Sequence, residues 1–114
     1  MLVKIFAHYF YEQNNEDVEI TLKIKGNFNI SDNFISQIET IMEKENKFFY
    51  YDSYYGIEFD LSKNDIYQLS DITINEMEFI RTIYNLLDYY NVYDESNIPI
   101  DLMKLDYITI DMEF

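Results

Sequence analysis

The stretch DVEITLKIK (17–25) alternates without a break. Val18, Ile20, Leu22 and Ile24 fall on one side, and Glu19, Thr21, Lys23 and Lys25 on the other. A period of two with one polar side is the pattern of a strand buried on one face only. The last ten residues, LDYITIDMEF (105–114), repeat it: Ile108, Ile110, Met112 and Phe114 against Tyr107, Thr109, Asp111 and Glu113. Two such segments commit the chain to a sheet with one covered face and one polar face.

The remaining segments supply the cover. MLVKIFAHYFY (1–11) is β-prone, and the polar turn EQNNED (12–17) joins it to the alternating run as an antiparallel hairpin. Gly26-Asn27 is expected to end that second strand. Ser31 is a good helix N-cap, with Asp32 in the first turn. Phe34, Ile35, Ile38, Ile41 and Met42 then form one apolar arc, predicting a helix over about 32–46. KFFYYDSYYGIEFDLS (47–62) reads as strand, turn, strand, with Ile57, Phe59 and Leu61 opposed to Glu58 and Asp60. Ser62 with Asp65 three residues on fits a short capped turn. A second helix is predicted over about 74–91, capped by Thr73 with Glu76 or Asn75 with Glu78. Its core arc is Met77, Ile80, Ile83, Tyr84 and Leu87. VYDESNIP (92–99) is expected to be a loop, since Pro99 cannot continue a helix. The expected fold is one two-layer α+β domain over residues 1–114. It has an antiparallel sheet of about four to five strands and two main helices on one face.

Chemistry is hard to find. There is no Cys, so disulfides and Cys-ligated metals are excluded. His8 is the only histidine; it lies in a strand without a nucleophile motif and reads as structural. With 22 carboxylates, two acids will be neighbours by chance, so a pair carries no weight as a catalytic dyad. DLSKND (60–65) lacks the glycine and the terminal Glu of a calcium loop. Neither glycine sits in a phosphate-cradling motif. No catalytic, cofactor-binding or metal-binding residue is expected, and the chain is read as not an enzyme. An enzyme using Asp or Glu would need a deep pocket holding a carboxylate of raised pKa. No apolar run reaches the roughly 20 residues that span a bilayer, and MLVKIFAHYF is too short and wrongly flanked for a signal peptide. The expected compartment is the cytoplasm, that of the host cell for a phage-encoded chain.

Charge says more. The net charge is −14, from 22 acids against 8 Lys plus Arg. Residues 1–51 carry 8 acids and 5 bases, whereas residues 52–114 carry 14 acids and only Lys63, Arg81 and Lys104. Direct nucleic-acid binding needs the opposite sign, and an anionic membrane is disfavoured likewise. A basic protein is the natural electrostatic partner. Scarce Gly, Pro, Ala, Arg and Trp beside plentiful Asn, Ile, Tyr and Asp indicate an AT-rich gene. That bias explains part of the tyrosine content. It does not explain the acidity, since AT-rich genes tend to be rich in Lys.

Glu58 with Asp60, and Asp111 with Glu113, lie two apart on strands, so each pair shares a face at roughly 6–7 Å. That is comparable to the charge spacing along a nucleic-acid strand. With Asp88, Asp94, Glu95, Asp101 and Asp106 they could form a row of carboxylates resembling a phosphate backbone. In FFYYDSYY (48–55) alternation sends aromatics to both faces of a sheet, so some of Tyr50, Tyr51, Tyr54 and Tyr55 are expected to be exposed as contact residues. These acids and tyrosines are the expected partner-binding residues. In size, acidity and AT-rich character alone, the chain is similar to small phage-borne anti-CRISPR and anti-restriction proteins. The expected function is an inhibitor of that kind, mimicking nucleic acid to occupy the basic surface of a nuclease or CRISPR effector. The alternatives are an immunity protein against a basic toxin nuclease, or an assembly or adaptor subunit with a Tyr-rich interface. The aromatic surface also allows a homodimer.

Overall fold

The structure is a computed structural model that describes residues 2–88, 91–93, 99–101 and 107–114. Asn14 and Asn15 both take left-handed φ, 53° and 64°. This is the backbone of a type I′ turn, which Asn tolerates better than most residues. It folds β1 (Leu2–Gln13) onto β2 (Glu16–Asn29), with Gln13 opposite Glu16. Contrary to expectation, Gly26-Asn27 does not end β2. Lys25, Gly26 and Asn27 together stand opposite the single Lys4, and the pairing resumes with Phe28 opposite Val3. Gly26 absorbs the irregularity at φ 139°. The Asn75 side chain secures the continuation, accepting from the Asn29 amide and donating to the Asn27 carbonyl at 3.1 Å.

Ser31 caps α1 (Asp32–Lys44), its hydroxyl accepting from the Phe34 amide. All five expected apolar residues of α1 are buried. Asn46, at φ 54°, turns the chain out of the helix. The Lys47 and Asn46 amides then donate to the Met42 and Glu43 carbonyls, a Schellman closure with Asn in glycine's usual place. β3 (Phe49–Asp52) and β4 (Gly56–Leu61) follow as a hairpin, its turn held by Asp52 Oδ1 accepting from the Tyr54 and Tyr55 amides. Ser62 and Asp65 cap the short α2 (Lys63–Ile66) reciprocally, as their spacing predicts. α3 (Ile74–Asp88) stops short of the expected 91, and Asn91 already belongs to a strand. The expected loop at 92–99 also meets strand at its ends, where β5 (Asn91–Tyr93) pairs with β6 (Pro99–Asp101). The β-prone Val92-Tyr93 and Ile100 favour that hairpin. β7 (Ile108–Glu113) is last.

The main sheet has the order β2-β1-β7-β4-β3 and is antiparallel throughout. The C-terminal strand thus lies between the two hairpins and joins them. Its Ile108, Ile110 and Met112 are fully buried, as expected of the central strand, against the apolar residues of α1 and α3. In α3 the buried arc differs from the expected one. Phe79 is fully buried, packing edge-on against Phe28 and Phe34 at 5.9 and 6.1 Å, while Met77 is 47% exposed. The cause is Glu76, which turns inward. Its carboxylate accepts from the Thr73 amide and from both the amide and hydroxyl of Ser31. One buried carboxylate therefore ties the N-termini of both long helices together and sets the rotation of α3.

Candidate protein-binding face

Side chains alternate across a strand, so the sheet that buries Ile5, Ile110 and Phe59 on one face presents a different set on the other. The register aligns that set in rows. One row runs Lys23, Phe6, Asp111, Glu58, Tyr50 from β2 to β3. The next runs Thr21, His8, Thr109, Asp60. On the other side lies Lys4, Glu113, Gly56, Asp52.

Four of the expected acids, Glu58, Asp60, Asp111 and Glu113, are thereby brought into one stripe on β4 and β7. Glu58 stands directly opposite Asp111, where Cβ atoms approach to about 5 Å and like charges destabilise the sheet. Asp60 is oriented by a hydrogen bond from the Thr109 hydroxyl at 2.7 Å. His8 borders the stripe. Its Nδ1 lies 2.8 Å from the Thr21 hydroxyl and 3.4 Å from Glu19, and its Nε2 lies 3.8 Å from Asp111. Asp94, Glu95 and Asp106 lie outside the described residues, as do the side chains of Asp88 and Asp101.

All four named tyrosines are exposed, but they do not share one face. Tyr50, 48% exposed, stands beside Glu58 on the acidic face. Tyr51 points to the other face at the sheet margin, its ring edge-on to Phe114 at 6.2 Å. Tyr54 and Tyr55 occupy the hairpin tip, in edge contact at 4.9 Å. Together with Asp111, Glu113 and Phe114 they surround an open hollow of about 590 Å³.

Sequence reasoning missed the other half of this face. Lys4, Lys23 and Lys25, on β1 and β2, line a cleft of about 570 Å³ with Gly26 and Asn27. None of the three makes an ion pair among the described residues. Alternation had placed Lys23 and Lys25 on the polar side. Only the strand order shows that β1, β2 and their lysines adjoin the acids of β7.

Among the described residues, two carboxylates are buried away from this face, Glu76 and Asp65. Asp65 accepts from Lys47 Nζ at 2.8 Å and from the Ser62 amide at 2.9 Å. Burial pushes its carboxyl up, but the hydrogen bonds from Lys47 and Ser62 outweigh this and hold it below the usual carboxylate range. That is opposite to the shift a general acid requires. Burial likewise opposes the Lys47 charge, yet Asp65 and Glu45 hold its pKa above the ordinary lysine value. Among the described residues, no group of three or more His, Cys, Asp or Glu is placed to hold a metal ion, and no helix is long and apolar enough to cross a membrane. Comparison with protein-family models, curated proteins and solved structures found no match to this chain.

Proposed function

We propose that this chain is a non-enzymatic inhibitor, of the anti-CRISPR or anti-restriction kind, that binds the basic nucleic-acid-binding surface of a nuclease or effector in place of nucleic acid. The observation that carries this reading is the stripe of Glu58, Asp60, Asp111 and Glu113 on the sheet face turned away from the described helices, with exposed Tyr50 beside it. A row of carboxylates offers a lysine- and arginine-lined groove the charges it meets on a phosphate backbone. Tyrosine adds contact area at low entropic cost and a hydroxyl for hydrogen bonding. The net charge of −14 adds long-range steering toward a basic partner.

The test starts from proteins captured on the immobilised chain and eluted with a salt gradient. The captured protein is then assayed for competition between the chain and its own DNA or RNA. The reading expects salt-sensitive binding that excludes nucleic acid. Glu58→Lys with Asp60→Lys should weaken binding by at least tenfold. Glu39→Lys with Glu43→Lys, on the exposed side of α1, should change it far less. A partner that holds the chain and its nucleic acid together would refute mimicry. Equal effects of the two double reversals would refute a localised acidic face.

A further inference from the structure

The hollow at the tip of the β3–β4 hairpin combines aromatic rings with carboxylates, and we propose that it receives a guanidinium group, the arginine side chain of a basic partner. The proposal rests on the reading of the chain as a binder of such a partner and names the group that reaches this corner. Tyr54, Tyr55 and Phe114 supply rings, and Asp111 and Glu113 supply charge, around an open volume of about 590 Å³. The face of an aromatic ring carries the negative part of its quadrupole and attracts a cation within about 6 Å of the centroid. The Tyr54 and Tyr55 rings meet edge to face, at 89° and 4.9 Å between centroids. Such a pair covers one ring face and leaves the others open. Both side chains are mostly exposed, so those faces are within reach of an incoming side chain. Asp111 and Glu113 lie two apart on β7, on one side of the strand and roughly 6–7 Å from each other.

The backbone of this corner is fixed by the fold. Asp52 Oδ1 accepts from the Tyr54 and Tyr55 amides at 2.8 and 3.0 Å, which holds the turn. The Phe114 amide donates to the Tyr55 carbonyl at 3.2 Å, which ties the tip to the end of β7. Gly56 permits that approach, since a Cβ there would collide with the Met112 carbonyl oxygen. Little backbone order is then lost on binding. The two carboxylates are also available. Lys4 stands opposite Glu113 but makes no ion pair among the described residues, and Asp111 has only the 3.8 Å approach of His8 Nε2. Guanidinium suits the hollow better than ammonium. It is planar, weakly hydrated, stacks on aromatic rings and offers five donors to two carboxylates. An ammonium is a strongly hydrated point charge, and an open hollow leaves it in its water.

Titration of the isotope-labelled full chain with N-acetyl-argininamide, followed by heteronuclear NMR, tests this. Saturable amide shifts should centre on Tyr54, Tyr55, Asp111 and Glu113. N-acetyl-lysinamide should bind about threefold more weakly, the size of an exposed cation–π contact. The neutral citrulline analogue should not bind. Tyr54→Leu with Tyr55→Leu should bring the arginine probe down to the lysine level, while Tyr54→Phe with Tyr55→Phe should keep it near wild type. Glu113→Gln should weaken both cations. These side chains are exposed, and the spectrum of each variant reports its folding directly. Equal binding of the two cations would overturn the proposal. So would shifts that spread evenly to Glu58 and Asp60, or a double leucine variant that binds the arginine probe like wild type. The titration needs no partner, so it is decided apart from the inhibitor reading. Probe binding without exclusion of nucleic acid from the captured protein would refute mimicry and keep the hollow; exclusion without a probe site would refute the hollow alone.

Discussion

Glu76→Ala should be among the most damaging single substitutions in the chain, although the residue lies far from the acidic face. Its carboxylate is fully buried and accepts from the Ser31 amide at 2.8 Å, the Ser31 hydroxyl at 2.8 Å and the Thr73 amide at 2.9 Å. The hydroxyl can rotate toward another acceptor, but the two amides cannot. Each amide left unpaired costs about 1–3 kcal/mol, so the expected loss is roughly 3–5 kcal/mol. The caps of both long helices weaken through the same bonds, so that loss is not counted again. Against a total stability of about 5–15 kcal/mol this is severe. Urea denaturation followed by circular dichroism reads it directly. With a slope near 2 kcal/mol per molar, the midpoint should fall by about 1.5–2.5 M. A double-mutant cycle with Ser31→Ala should show strong coupling, because the two residues share their bonds. A loss below about 1 kcal/mol would mean that water reaches the freed amides, and the carboxylate would not be the tie between α1 and α3.

Other substitutions test separate parts of the fold. Gly56→Ala should cost about 3 kcal/mol or more, since φ 146° disfavours an L side chain and its Cβ would meet the Met112 carbonyl; thermal denaturation together with hydrogen exchange across β4 and β7 measures this. Asp65 has a folded pKa below its unfolded value, so its contribution is present above about pH 4 and lost as pH falls through the folded pKa. Asp65→Asn should therefore be less stable than wild type at pH 7, and the gap should narrow in acid; a constant gap would exclude the linkage. Lys47 has the opposite sign, so its contribution should persist below the unfolded pKa and fade as pH rises through the higher folded one. Glu58→Gln removes one of two like charges placed opposite each other and should raise stability by about 0.3–1 kcal/mol, less in high salt.

What was legible in the sequence was local. The alternation in 105–114 placed Ile108, Ile110 and Met112 in the core. Ser31, the Ser62–Asp65 pair and the Thr73–Glu76 pair announced helix starts, because a cap needs only residues three apart. The phase of α3 was not legible. A helical period permits neighbouring arcs, and a buried glutamate is a poor guide until its partner Ser31 is in view. Nor did the glycine at 26 separate a strand end from an irregularity, since the Asn75 clamp that continues the strand comes from almost fifty residues away. The strand order was beyond reach for the same reason. With it went the placement of Glu58 opposite Asp111, and the lysine half of the face.

The like-charge pair of Glu58 and Asp111 bears on how the face should be understood. A sheet surface that only meets water lowers its energy by alternating signs between neighbouring strands. Here β4 sets Glu58 against Asp111 of β7, although elsewhere on the face Lys4 stands opposite Glu113 and Glu19 of β2 lies beside His8. Exchanging Glu58 with Lys23 would remove the like pair and leave the composition unchanged. The arrangement found is thus less stable for the isolated monomer than a simple rearrangement of its own side chains. Codon bias accounts for tyrosines but not for the positions of charges along a strand. The like-charge pair, with exposed Tyr50 beside it, is what the proposed binding of a basic surface would relieve.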